Sequence, residues 1–181
     1  VSQEYGRDPT SDYQGVILQR GLILNVLALL PCAVAVWCRE AIFTAMYPPA
    51  LAASAAAFTT YTMLFLATIS LTTTMGKFLS NQRLPHLVTI AVSSVIVTGP
   101  IAQNYLVPRY GLNGAMLAMG ISGLIELLLI VAFTFGTAQS RRNFGAWRIM
   151  GEVTQDWAAV KDHIRLALPS SAFVALESCA F

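Results

Sequence analysis

Two carboxylates stand inside otherwise oily stretches of this 181-residue chain: Glu126 in residues 111–140, and Glu177 in LALPSSAFVALESCAF at 166–181. Placing a charge at the centre of a bilayer costs at least about 2.5–3.5 kcal/mol, so such groups usually face a cavity or a partner. A medium of low dielectric disfavours the ionised form of a carboxyl. An acid at that depth can therefore exchange a proton, or trade a proton or sodium ion for a cationic substrate. That is the chemistry of a coupled transporter. The plainer reading is a neutral acid hydrogen-bonded to a neighbouring helix.

The spacing around each acid says which way it points. Gly114, Ala118, Ser122 and Glu126 recur every fourth residue. A stripe of small residues lets helix backbones approach closely, so Glu126 belongs to a packed face. At about 1.5 Å per residue it lies some 20 Å along its helix, near the midplane. Glu177 lies eleven residues past Leu166 and seven past Ser170, which places it at mid-depth with Ser170 on the same face. Pro169 falls in the first turns of that helix, where a missing amide hydrogen is tolerated.

The elements that must carry these groups are transmembrane helices. Hydrophobic residues make up 56% of the chain and charged ones 11%, with a mean hydropathy of +0.63. Soluble domains hold about 25% charged residues. A helix needs about 20 apolar residues to cross the hydrocarbon core, and lipid cannot satisfy exposed backbone amides. Runs at 21–38, 49–76, 87–107 and 111–140 meet that length, and 166–181 begins a fifth. Pro48-Pro49, Pro85, Pro108 and Gly111 are read as the breaks between runs. The predicted fold is an all-α polytopic membrane helix bundle. Val1 in place of Met, and a last run with no polar flank, read as a fragment of a longer protein. The first twelve residues carry charge and no apolar core, so no signal peptide is expected there.

Basic residues set the expected orientation. Arg7, Arg20, Lys77, Arg83, Arg141, Arg142, Arg148, Lys161 and Arg165 fall on one side, and Arg39 and Arg109 on the other. The richer side, which includes the N-terminal end, is predicted to be cytoplasmic. Residues 141–165 form the longest polar connection. Trp147 and Trp157 suit an interface belt, and VTQDWAAVKDHIRLAL mixes charge and apolar spacing as an interfacial helix does.

Other groups read as structural. The threonines of the second run (Thr59, Thr60, Thr62, Thr68, Thr72, Thr73, Thr74) are expected to bond to their own helix carbonyls or to a neighbouring helix. Gln103 and Asn104 are candidates for a cavity mouth. Cys32, Cys38 and Cys179 form no disulfide framework, and neither His86 nor His163 has a second ligand at metal spacing. No metal site or cofactor is expected. No phosphate-cradling loop or nucleophile elbow occurs, which weighs against an ATP-driven subunit and against an enzyme. A net charge of +2 is too small to indicate nucleic acid.

Five short elements, in order, resemble the multidrug and toxic compound extrusion (MATE) transporters, the eukaryotic-type branch above all. SQEYG at 2–6 is similar to the family's Gly-Gln-x-Tyr-Gly, with Ser2 in place of Gly. Leu18-Gln19-Arg20 is similar to the opening of the third helix. FLSNQRLP at 78–85 resembles the element between the fourth and fifth helices, with Ser80 and Asn81 as departures. GLNGAMLA at 111–118 resembles the start of the sixth, and LPSSAFVALESCAF at 168–181 the seventh. In the last, Ser178-Cys179 replaces the usual aromatic pair.

The resemblance implies a twelve-helix, two-lobe antiporter that exports organic cations and other xenobiotics by alternating access, driven by H+ or Na+. Residues 1–140 would then carry helices three to six of the first lobe, 141–165 the cytoplasmic interlobe loop, and 166–181 the start of helix seven. The seventh-helix Glu, matched by Glu177, is implicated in coupling and substrate contact. Glu126 matches no named family site, and the family's first-helix acidic site falls outside this chain. The partners implied are membrane lipid, a small organic cation and the remaining helices of the full protein. Two alternatives stand beside it. A lipid-linked oligosaccharide flippase of the same superfamily would want a cluster of cavity arginines, where only Arg20 adjoins a membrane segment. A truncated membrane protein without transport is the other.

Overall fold

A computed structural model describes residues 2–11 and 13–145, together with the helical positions Lys161 and Arg165. The chain divides into two units, Val1–Gly145 and Ala146–Phe181. Eight α-helices follow one another among the described residues: α1 (Ser2–Arg7), α2 (Tyr13–Trp37), α3 (Arg39–Met46), α4 (Pro49–Phe58), α5 (Thr62–Asn81), α6 (Pro85–Tyr110), α7 (Leu112–Gly136) and α8 (Ala138–Phe144). A single 3₁₀ turn, Thr59–Tyr61, joins α4 to α5. Among the described residues, four stretches are long and apolar enough to cross a membrane: Tyr13–Trp37, Pro49–Asn81, Pro85–Tyr110 and Leu112–Gly136. The protein is a multi-pass, all-α membrane helix bundle.

The breaks follow from backbone chemistry. Pro49 and Pro85 open α4 and α6, where the missing amide hydrogen leaves no helical bond unmade. Gly111, at φ 58°, reverses the chain between α6 and α7, a conformation that glycine adopts without steric cost. The end of α5 is a Schellman turn. The Leu84 amide donates to the Leu79 carbonyl at 3.1 Å and the Arg83 amide to Ser80 at 3.2 Å, with Arg83 in the left-handed region at φ 61°.

Pro108 departs from the expectation drawn from sequence. It lies inside α6, as does Pro100. Pro108 stands in the last turn, and the reversal is made at Gly111 instead. The first span also starts earlier than its apolar run. α2 begins at Tyr13 because Gln14, Gly15, Gln19 and Arg20 are buried within the unit.

α7 is the central element, packed against α5 on one side and α6 on the other, and α2 lies against α5. Its small residues explain the closeness. Gly114, Ala118 and Ser122 are all buried. A methyl group at Gly114 would collide with the Leu106 carbonyl, and one at Gly123 would come within 2.6 Å of Thr68 Oγ1. Dense backbone packing of this kind replaces the hydrophobic drive that lipid removes. Ile96, Val97, Ile101 and Leu128 point outward, as lipid-facing side chains do.

Four of the threonine hydroxyls bond back as expected: Thr59, Thr60, Thr68 and Thr74 donate to carbonyls three or four residues earlier, whereas those of Thr62 and Thr72 are buried with no partner among the described residues. Asn25 Nδ2 adds a cross-helix bond to Thr74 Oγ1.

One end of the unit is tied by polar bonds. Gln139 Nε2 donates to the Gln82 carbonyl at 3.1 Å, and Asn143 Nδ2 to Pro9 at 3.0 Å. Beside them lies an apolar cluster of Leu18, Met75, Phe78, Leu79, Ile130 and Phe144. Arg7, Lys77, Arg83, Arg141 and Arg142 belong to elements that meet at this end. Arg39 and Arg109 belong to the opposite one, so the charge asymmetry read from the sequence has a physical counterpart.

Candidate functional site

A cleft of about 360 Å³ opens between α5, α6 and α7. Phe65, Thr68 and Ile69 line it from α5, Val95, Gly99, Pro100 and Gln103 from α6, and Met119, Ser122, Gly123 and Glu126 from α7. Among the described residues, Glu126 is the one ionisable group in that lining. It is half-buried, while Ser122, one turn earlier, is 1% exposed.

Helix geometry gives the layout. α6 and α7 are joined by a tight reversal and run antiparallel. Counted at about 1.5 Å per residue from that turn, Gln103 stands ~10 Å deep, Gly99 and Ser122 ~15 Å, and Glu126 ~21 Å. The cleft therefore has an amide toward its shallow end, a hydroxyl midway and a carboxylate near mid-membrane. Gly99 faces the hydroxyl directly: a methyl group there would lie 4.0 Å from Ser122 Oγ.

The polar atoms are unequally satisfied. Thr68 Oγ1 donates to the carbonyls of Leu64 and Phe65. Ser122 Oγ is buried without a hydrogen-bond partner among the described residues. Pro100 lacks the amide hydrogen that would bond the Ile96 carbonyl, and the proline ring lines the cleft. Leaving buried polar groups unmet costs about 1–3 kcal/mol each. The Gln103 amide, the Ser122 hydroxyl and the Glu126 carboxylate share this lining, a set of oxygens suited to a monovalent cation or a protonated amine, with Phe65, Ile69 and Met119 as apolar walls.

Of the sequence candidates, Glu126 and Gln103 are brought to this cleft. Asn104 is exposed and does not line it. Glu177 lies outside the described residues, as do His163, Cys179, Trp147 and Trp157. His86 is exposed at the start of α6. Among the described residues no group of His, Cys, Asp and Glu could hold a metal ion. Arg20 is buried beside Tyr13, its Nη1 donating to the phenolic oxygen at 3.4 Å. The sequence reading took Ser122 for packing alone and passed over Gly99 and Pro100. The signal was a proline and a glycine adjacent in an apolar run.

Among proteins of known name, the chain is 28% identical to multidrug and toxin extrusion protein 1 of Oryctolagus cuniculus and of Homo sapiens, and 27% identical to that of Mus musculus. All of the chain is covered in each case. The similarity is to the MATE family. The chain spans 31% of each relative's length. No family model and no solved structure matches the chain. The names borne by these MATE relatives are those of extrusion proteins. They agree with a transporter that carries a substrate through a lipid environment, and do not favour the flippase alternative.

Proposed function

We propose that the chain is part of the first lobe, with the start of the second, of a cation-coupled antiporter that exports organic cations by alternating access. Its basic end faces the cytoplasm. Glu177 exchanges the coupling ion, H+ or Na+, and Glu126 supplies a second acidic contact within the first lobe. The observation that carries the reading is the position of Glu126: a lone acid at mid-depth, on a packed helix, opening into a cleft with apolar walls. Intramembrane ionisable groups so placed are functional by default. An aromatic organic cation fits such a cleft, its charge toward Glu126 and its body against Phe65 and Met119.

The test uses the full-length protein in proteoliposomes, with ethidium as substrate and an imposed proton or sodium gradient. Glu177→Gln abolishes gradient-driven efflux, because an amide cannot take up or release a proton. Glu126→Gln weakens substrate affinity while coupling persists. Unchanged efflux in Glu177→Gln at normal expression removes that residue from coupling. Unchanged affinity in Glu126→Gln removes the acid from the substrate's path.

A further inference from the structure

A second cleft, of about 460 Å³, lies at the opposite end of the bundle from the polar ties, between α3, α4 and the first turn of α7. Its polar lining is Arg39, Glu40, Thr44, Thr60 and Asn113, set against the methyl groups of α4. We propose that this cleft binds the headgroup of a phospholipid that carries a phosphate and a primary ammonium.

Trp37, Tyr47, Tyr105 and Tyr110 are exposed at this end of the helices, at 86%, 42%, 57% and 57%. Exposed Trp and Tyr mark the level of lipid headgroups. Arg109 stacks over the Tyr105 ring at 3.7 Å, keeping its charge at the same level. Ile42, Met46 and Leu51, on the elements that form the cleft, are exposed and offer an apolar bed for acyl chains.

The charges come next. Arg39 Nε donates to the Ala56 carbonyl at 3.2 Å, and Nη1 to Val36 at 3.1 Å. Those bonds fix the guanidinium plane between α2 and α4 and leave Nη2 for an acceptor from outside. A fixed guanidinium matches phosphate oxygens in a way that a mobile ammonium does not. Glu40 and Asn113 supply the opposite chemistry. Asn113 Oδ1 is a buried acceptor with no donor among the described residues, and the Glu40 carboxylate is exposed in the same cleft. A primary ammonium has three N–H donors for them.

This pairing decides among ligands. Free phosphate would meet the Glu40 carboxylate and the Asn113 oxygen, both of which repel it. An organic cation would meet Arg39. An anionic lipid without an ammonium, such as phosphatidylglycerol, would satisfy Arg39 and bring no positive charge to the Glu40 carboxylate. A choline headgroup has no N–H to give. The phosphoethanolamine head satisfies all three groups together, and the volume lies within the range of small-ligand sites.

The experiment is native mass spectrometry of the full-length protein in detergent, with phosphatidylethanolamine, phosphatidylglycerol, phosphatidylcholine or inorganic phosphate added. Phosphatidylethanolamine is expected to be retained in preference to the other two lipids, with no binding of phosphate alone. Arg39 holds backbone as well as ligand, so its loss can disturb the fold. The deciding variant is therefore Glu40→Gln, on an exposed side chain. It should lower the preference for phosphatidylethanolamine over phosphatidylglycerol about tenfold, the loss of one charge-assisted hydrogen bond, with thermal stability unchanged. Asn113→Leu should lower it further. Equal retention of all lipids by the native protein, an unaltered preference in Glu40→Gln, or capture of inorganic phosphate alone would each overturn the proposal.

Discussion

Asn143 Nδ2 donates to the Pro9 carbonyl at 3.0 Å, joining residues 134 positions apart. The bond closes the unit: the loop before α2 is clasped by the end of α8. Asn143 is 1% exposed, while Pro9 is exposed and its carbonyl can turn to water. Asn143→Leu is expected to lower stability by about 0.5–1.5 kcal/mol, the net worth of one hydrogen bond. Thermal unfolding in detergent, followed by the near-ultraviolet signal, checks this. An unchanged midpoint would mean that α8 is held by its apolar contacts and the Gln139 bond, without help from Asn143.

The same loop carries a pH dependence. Two bonds from Thr10, the backbone amide first and then the hydroxyl, hold the Asp8 carboxyl below its ordinary value of 3.8, with Arg142 adding a smaller attraction. A carboxylate with a depressed folded value contributes stability above its unfolded value, and that contribution is lost as pH falls through the folded one. The wild-type midpoint should therefore drop more steeply below about pH 3.8 than that of Asp8→Ala, and the two should differ by a constant amount at neutral pH. Parallel curves through the acid range would remove Asp8 from the account. The side chain is fully exposed, so the effect is small and sensitive to salt.

Much of this was legible in the residues, for a physical reason. Lipid forces helices, so apolar length alone located the spans, and Pro48-Pro49, Pro85 and Gly111 marked real reversals. The stripe from Gly114 to Ser122 announced the packed face of α7. Where the reading fell short, polar residues were hidden by protein rather than by lipid. Gln14, Gln19 and Arg20 lengthen α2 beyond its apolar run because α8 and the preceding loop cover them. Pro108 was taken for a break because spacing cannot show that Gly111 already makes the turn. The cleft beside Glu126 depends on which α6 residues face Ser122, a cross-helix register that no single run encodes.

Close approach at Gly15 gives a sharp contrast. A methyl group there would collide with the backbone of Phe144, carbonyl oxygen first, whereas one at Gly6 would meet nothing within 4 Å. Backbone cannot move aside as a flexible side chain can. Gly15→Ala should cost at least about 1–3 kcal/mol, the usual penalty of overpacking, and loosen α8 from α2. Gly6→Ala, in the short helix α1, should be neutral or slightly stabilising. Hydrogen exchange over residues 138–144 separates them: faster exchange is expected in the first variant and native rates in the second.

Arg83 is a non-glycine residue in the left-handed position of the turn after α5. Its two amide bonds remain whatever side chain stands there, since both are made by backbone. Removing the Cβ relieves the steric penalty of that conformation, about 1–2 kcal/mol, partly offset by greater freedom of the unfolded chain. Arg83→Gly should therefore raise stability by about 1 kcal/mol or slightly less. A lowered unfolding midpoint would show that the arginine side chain supports the turn by contacts outweighing the strain.

Ser122 separates packing from function on α7. Its hydroxyl is buried and unpartnered, so it gives the resting fold no hydrogen bond. Removing such a group and leaving a methyl-sized side chain is close to neutral or mildly stabilising. Ser122→Ala should therefore unfold at or slightly above the wild-type temperature. If the hydroxyl serves the cation proposed to bind beside Glu126, the same variant raises KM for ethidium efflux about tenfold, the worth of one hydrogen bond to a charged group. The maximal rate is expected to stay near that of the wild type, because the coupling acid is untouched. A purely structural serine would move the unfolding temperature and leave KM alone. That opposite pattern would assign the cleft to helix packing and withdraw Glu126 from the substrate path.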